Sequence, residues 1–468
     1  MLVRRFYDDR LAQATYLIGC QRTGEAIVID PPRDIGPILA AALAEGVRIT
    51  RITETHIHAD FVSGARELAR ATGARLLLSA EGGPDWQYRY AAEAGAQLLH
   101  DGDRIVMGGV RLEVWHTPGH TPEHLSFVVI DSARSEEPVA MVTGDFVFVG
   151  DVGRPDLLEK AAKVVGTMET GARQLFRSLK RLATLPDHLQ IWPGHGAGSA
   201  CGKALGAMPS STLGYERRTN WAFGIEDEQQ FVAAVLEGQP APPTYFATMK
   251  RLNRDGPPLL GEQGPLSELT ADALPAARAG VLLDVRPATD FAAGHLRGAI
   301  SIPLIKAFTT WSGWLIDHDT PITLVAPDAT TAGSARTALA SIGLDDVRGW
   351  FGPAALRDAA AREGLVTATR ADIGDAEAMI AAGRTVVDLR EVPEWEAGHI
   401  PDAVHHPLGT VQQALDDLPR DTPLAVHCQA GTRSGIGSSV LEAMGFTDVL
   451  DLSAGYSGWR TAKVKAGA

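Results

Sequence analysis

Glu54-Thr-His-Ile-His-Ala-Asp-Phe61 decides how the first half of this chain is read. The run ends a strand-like stretch (49–55) and precedes a helical one that starts at Ser63. Side chains two apart on an extended segment point the same way, so His56 and His58 converge on one point. Three further junctions are built alike. His120 closes Thr117-Pro-Gly-His, Asp145 closes Thr143-Gly-Asp, and His195 stands in Pro193-Gly-His-Gly. Four strand-to-loop junctions each deliver a ligand-type residue, three of them beside Gly or Pro. A metal site assembled at a sheet edge requires this pattern.

Working outward, strand-like runs at 26–30, 75–79, 110–115, 125–130 and 139–143 alternate with helical runs at 35–45, 63–71 and 164–182. That mixture predicts two sheets sandwiched between helices. The chain has 468 residues, enough for roughly three domains. Forty-three basic against fifty-seven acidic residues give a net charge of −14, which argues against nucleic acid or an anionic membrane surface as partner. No apolar run has the length of a membrane span, and charges occupy the N-terminal stretch where a signal peptide needs apolar residues. Cys20, Cys201 and Cys428 are the only cysteines. So sparse a set excludes a disulfide framework and predicts a reducing, cytoplasmic location.

The Gly- and Pro-rich stretch 238–265 reads as a boundary, with 245–253 packing back on the first domain. Beyond it the chain repeats. Leu283-Asp-Val-Arg, Phe291, Gly294-His-Leu and Pro303-Leu return 104 positions later as Val387-Asp-Leu-Arg, Trp395, Gly398-His-Ile and Pro407-Leu. Short apolar runs alternate with helical stretches in both copies, predicting two α/β domains with parallel sheets. The expected domains are therefore 1–255, 256–362 and 363–468. In the last, the strand Leu424-Ala-Val-His runs into Cys428-Gln-Ala-Gly-Thr-Arg433 and a helix. Backbone N–H groups, the helix start and Arg433 there favour a thiolate and can cradle an anion or a persulfide sulfur. In the first copy Pro327 stands opposite Cys428 and Ala332 opposite Arg433, so that copy has lost its nucleophile and its cation.

The histidine motifs resemble those of the metallo-β-lactamase superfamily, whose first signature is His-x-His-x-Asp-His. The resemblance implies an N-terminal αββα sandwich. Phe61 stands where the final histidine belongs. In the dinuclear zinc hydrolases that histidine holds a second metal together with residues matching Asp60 and His195, so the second position is expected to be crippled. Glu54 to Asp60, Thr117-Pro-Gly-His-Thr, Gly144-Asp and Gly153-Arg-Pro-Asp resemble the mononuclear persulfide dioxygenases. That likeness implies one Fe(II) per chain on His56, His120 and Asp145, with open positions for O2 and a sulfur substrate. It leaves His58, Asp60 and His195 to orient ligands or to serve as alternative ones. Arg154 is the candidate contact to the thiol carrier. Cys201, six residues after His195 with Lys203 nearby, is a candidate reactive thiolate, whereas Cys20 reads as structural.

The Cys428 loop, with Asp388-Leu-Arg and Glu394-Trp-Glu-Ala-Gly-His-Ile upstream, resembles the rhodanese active site. A dioxygenase followed by an inactive and an active rhodanese domain implies oxidation of a glutathione, coenzyme A or similar persulfide to sulfite. Sulfur transfer at Cys428 then gives thiosulfate. Superfamily relatives often pair, so a homo-oligomer is expected. Two other readings stay open: a zinc-dependent, glyoxalase II-like thioester hydrolase with a sulfur-relay module, and a sulfur-carrier hub with a structural metal.

Overall fold

Strand Gln13–Cys20 shows why the first unit holds two sheets. Tyr16 and Ile18 enter one apolar cluster and Leu17 another, because successive side chains face opposite sides of a strand. Ile27 and Ile29 likewise oppose Ala26 and Val28 on strand Glu25–Ile29. Across the interior, Phe127 and Val129 face the same central cluster from strand Leu125–Asp131, while Val128 faces a third one outside. Where both faces of a sheet are covered, strands are buried throughout, as Leu125–Asp131 and Ala140–Gly144 are.

The computed structural model describes residues 1–162 and 166–466. It divides into two compact units, Met1–Gln263 with Ala340–Gly343, and Gly264–Leu339 with Leu344–Ala468. In the first unit one six-stranded sheet runs in chain order from Leu2–Asp8 to Gln97–Leu99, antiparallel at first and parallel from Glu25–Ile29 onward. The other is ordered Ser211–Thr212, Gln190–Pro193, Ala140–Gly144, Leu125–Asp131, Val110–His116, Arg104–Met107. Helices Gly36–Ala44 and Ala65–Thr72 supply Ile38, Ala42 and Leu68 to the outer cluster of the first sheet. Helix Thr167–Arg181 covers the second sheet with Leu175 and Leu179. It is the helix expected over 164–182, of which 164 and 165 lie outside the described residues. The αββα arrangement is therefore present.

In the second unit the repeat becomes two parallel sheets, one of five strands and one of four. The repeated words have one structural job in both. Arg286 donates to Asp284 and to Gly294 O, as Arg390 does to Asp388 and Gly398 O. The rings of His295 and His399 stack on Phe291 and Trp395, each at 3.7 Å. Helix Thr432–Ala443 of the second copy also packs on strand Ala299–Ser301 of the first, where Ser439 Oγ accepts the Ser301 N–H. Among the described residues no helix is long and apolar enough to cross a membrane.

Candidate metal centre and sulfur loop

The metal centre sits where strands of the first unit run out. Past strand Arg48–Thr53, the amide and hydroxyl of Thr55 donate to Asp30 at 2.6 and 2.9 Å. With its hydrogen spent there, the Thr55 hydroxyl accepts from His56 Nδ1 at 2.9 Å. His56 Nε2 is left as a bare lone pair, 3.9 Å from Asp145 Oδ2. His120 obeys the same logic: Nδ1 donates to Arg154 O at 2.9 Å, and Nε2 lies 3.4 Å from Asp145 Oδ2. Fixing one ring nitrogen to an acceptor is how ligand histidines are aimed. The Asp145 N–H donates to His124 Nε2, while neither of its carboxylate oxygens has a hydrogen-bond partner. Close backbone approach holds the aspartate in place. A Cβ on Gly153 would lie 1.8 Å from Asp145 O, and one on Gly144, at φ +50°, 2.7 Å from Thr55 Cβ.

Among the described residues, two groups place three ligand atoms within 4.8 Å of one another: His56, His120 and Asp145, and beside them Asp60, His195 and Cys201. Burial holds His56 well below the usual imidazole range, its histidine neighbours adding to the effect, and burial lowers His120 against the pull of Asp145. Neutral imidazoles are the form a metal takes. His58 differs. Burial opposes its charge, yet Asp30, Asp60 and Glu54 outweigh burial and push it up to about 9. Its Nε2 is 3.0 Å from Asp30 Oδ1, so it lies outside the first group as a buttress. A buried carboxylate with two bare oxygens facing two aimed nitrogens fits a divalent metal, with Asp145, His56 and His120 as its holders.

Two expectations need correction. Arg154 is fully buried and cannot meet a thiol carrier. Its guanidinium binds Asp156 at 2.7 and 2.8 Å, Ala200 O and Pro240 O. Lys203 does not activate Cys201 either, because its Nζ donates to Ala234 O and Glu237 O. Burial pushes the Cys201 thiol up to about 12, and Asp145 adds to this. Phe61 packs its ring on His58, with centroids 4.4 Å apart. The residues that sequence reasoning passed over are buttresses. Asp30 ends an apolar strand, Glu123 accepts the Ile57 N–H, and Asn253 bonds His58 O and Phe61 O from the segment expected to pack back.

In the second unit, strand Leu424–His427 runs into Cys428, and helix Thr432–Ala443 follows. Gly431 donates its N–H to Cys428 Sγ at 3.2 Å. The loop turns through Gly431 at φ +97°, where a Cβ would meet Ser453 O at 2.2 Å. Arg433 is beside the sulfur loop, but its two Nη atoms grip Glu394 at 2.6 and 2.7 Å. An anion reaching Arg433 therefore competes with Glu394, a pairing not anticipated from sequence. In the first copy, Asp328 accepts the Thr331 N–H at 2.7 Å. A fixed carboxylate thus sits at the helix start, Pro327 has no N–H to offer, and Ala332 is buried.

Residues 8–195 match the family model of the metallo-beta-lactamase superfamily, and residues 268–349 and 372–462 match that of the rhodanese-like domain. A crystal structure of a metallo-beta-lactamase from Staphylococcus aureus subsp. aureus COL is 44% identical, with a TM-score of 0.70, and the match covers 75% of this chain and 99% of that one. Persulfide dioxygenase ETHE1, mitochondrial, of Homo sapiens is 31% identical over 200 residues, 42% of this chain and 68% of that protein. Hydroxyacylglutathione hydrolase of Polaromonas sp. (strain JS666) is 34% identical over 198 residues, 42% of this chain and 66% of that protein.

Proposed function

Since the chain belongs to the metallo-β-lactamase superfamily, with persulfide dioxygenase relatives and two rhodanese-like domains after the first, we propose that it oxidises low-molecular-weight persulfides with O2. One Fe(II) per chain would be held by His56, His120 and Asp145. The observation that carries this reading is the ligand set itself: two aimed imidazoles and one carboxylate with bare oxygens. Such a face, when it holds Fe(II), supplies open positions for O2 and a sulfur ligand. The residues around it orient and exclude water. Thr55 and Arg154 O set the histidine tautomers, His124 fixes the Asp145 backbone, and Asp30 with His58 locks the loop. In the net reaction a persulfide, one O2 and one water give a thiol and sulfite, releasing two protons.

In this reading residues 1–255 are the dioxygenase, 256–362 the inactive and 363–468 the active sulfurtransferase domain. A persulfide on Cys428 carries an electrophilic outer sulfur. Sulfite attacks it, the sulfur–sulfur bond breaks, thiosulfate leaves and the Cys428 thiolate returns. Glutathione and coenzyme A persulfides are the substrate class.

A zinc thioester hydrolase is the second reading, favoured by the hydroxyacylglutathione hydrolase relative and by Asp60 and His195 beside the centre. Against it, Phe61 has no donor atom. The metal of anaerobically purified protein separates the readings. Iron near one per chain is expected, with O2 uptake on adding glutathione persulfide. Zinc with thioester cleavage and no O2 uptake would support the hydrolase, and a filled site without turnover the sulfur-carrier hub.

A further inference from the structure

We propose that Glu394 determines which sulfur donors the Cys428 loop accepts: it occupies Arg433 as an internal carboxylate, so that Cys428 takes sulfur from organic persulfides and disfavours dianionic donors such as thiosulfate. The inference rests on the sulfur-transfer reading of Cys428. Both Nη atoms of Arg433 are spent on the two oxygens of Glu394, at 2.6 and 2.7 Å, and the two side chains are only 17% and 33% exposed. Largely withdrawn from water, the pair has the fork-on-fork geometry of the stronger charge-assisted hydrogen bonds. An oxyanion that needs this guanidinium must displace a carboxylate already in place.

Local structure holds Glu394 at this post. It stands in the first turn of helix Val392–Glu396, whose start Pro393 favours. Its Oε2 also accepts the Glu391 N–H at 3.1 Å, one half of a capping box. The carboxylate is therefore aimed independently of Arg433. Burial opposes the charge of Arg433, yet Glu394 outweighs burial and holds the guanidinium charged, with Cys428 and Glu391 adding to the effect. The first copy supplies the contrast. Asp290 lies 104 positions before Glu394, on helix Ala288–Ala293, but Ala332 offers it no cation and Asp290 is exposed.

What the loop leaves for a substrate is backbone. The Gly431 N–H points at Cys428 Sγ from 3.2 Å, just before helix Thr432–Ala443. That suffices for an organic persulfide: the Cys428 thiolate attacks the outer sulfur, the sulfur–sulfur bond breaks, and the donor leaves as a thiolate. The charges of glutathione lie several bonds from that sulfur. Thiosulfate reacts by the same exchange, with sulfite as the leaving group, but it brings two negative charges next to the reacting sulfur. Arg433 is the one cationic side chain of the loop 428–433, and Glu394 neutralises it. Sulfite meets the same competitor, so it discharges the Cys428 persulfide only as its concentration rises.

The test is the rate at which Cys428 gains sulfur from thiosulfate or from glutathione persulfide. It is followed anaerobically by the mass of the intact full-length chain, with Cys428→Ser as the blank. Glu394→Gln keeps an oxygen for Arg433 and removes the charge. It should speed loading from thiosulfate at least about tenfold, the worth of one hydrogen bond to a charged group, and change loading from glutathione persulfide by less than about twofold. Glu394→Asp keeps the charge and should keep thiosulfate slow. If Glu394→Gln does not fold, the wild type decides: glutathione persulfide should load Cys428 at least about a hundredfold faster than thiosulfate, and equal rates would overturn the inference. A thiosulfate rate unchanged or lowered in Glu394→Gln, or a persulfide rate raised as much, would also overturn it while leaving sulfur transfer standing. No sulfur on Cys428 from either donor would overturn the sulfur-transfer reading and the inference with it.

Discussion

Replacing Arg154 by Met separates its structural role from a substrate-contacting one. The guanidinium is wholly buried and bidentate on Asp156, which is itself buried. Removing one member of such a pair costs about 3–5 kcal/mol, because the remaining charge is left uncompensated. Lys160 Nζ stays 2.8 Å from Asp156 and is partly exposed, so the expected loss sits at the lower end, about 3 kcal/mol. Ala200 O and Pro240 O also lose their donor. The assay is hydrogen–deuterium exchange of strands Val110–His116 and Leu125–Asp131 in the full chain, which reports opening of the first unit alone. Exchange should speed up by about a hundredfold, and Arg154→Met with Asp156→Leu should recover most of the loss. Metal retention should fall as well, since Arg154 O aims His120. Unchanged exchange together with a raised KM for persulfide would refute this reasoning and return Arg154 to the substrate.

Asp145→Asn should abolish iron retention and O2 uptake by removing the anionic ligand, whereas His58→Ala should retain part of both; equal iron loss in the two variants would put His58 among the ligands. In metal-free protein, His58 contributes stability that is fully present below the unfolded imidazole value near 6.5 and is lost as pH rises through about 9. The contribution is at most about 3 kcal/mol. Melting temperatures of wild type should therefore fall relative to His58→Gln between those pH values, and parallel curves would contradict the assignment. Pro327→Cys should yield no sulfurtransferase activity in a Cys428→Ser background, because Asp328 already caps that helix start and Ala332 leaves no arginine; thiosulfate turnover there would show that the loop alone suffices.

Much of the fold was legible because two patterns are strong. Apolar runs such as Ala26-Ile-Val-Ile predict strands, which prove to be covered on both faces, and the 104-residue offset predicts two like domains. The ligand residues were legible because each follows a strand, and His120, Asp145 and His195 do so beside Gly or Pro. What stayed hidden depends on where loops return in space. Cys201 lies in a glycine-rich loop without periodicity, so its arrival at Asp60 and His195 has no local signal. Arg154 reads as an exposed cation in Gly-Arg-Pro-Asp, and only the path of residues 200 and 240 around it shows its burial. The Arg433–Glu394 pair spans 39 positions, from the sulfur loop to its upstream motif, and no local pattern links the two.

The most direct test of the central claim is the ratio of O2 consumed to sulfite formed when anaerobically purified Cys428→Ser protein meets glutathione persulfide. With sulfur transfer disabled, sulfite should accumulate in place of thiosulfate, one for each O2 taken up, and both should vanish in the further variant Asp145→Asn. Persulfide consumption without O2 uptake, or thiosulfate still formed at the wild-type rate, would contradict the account.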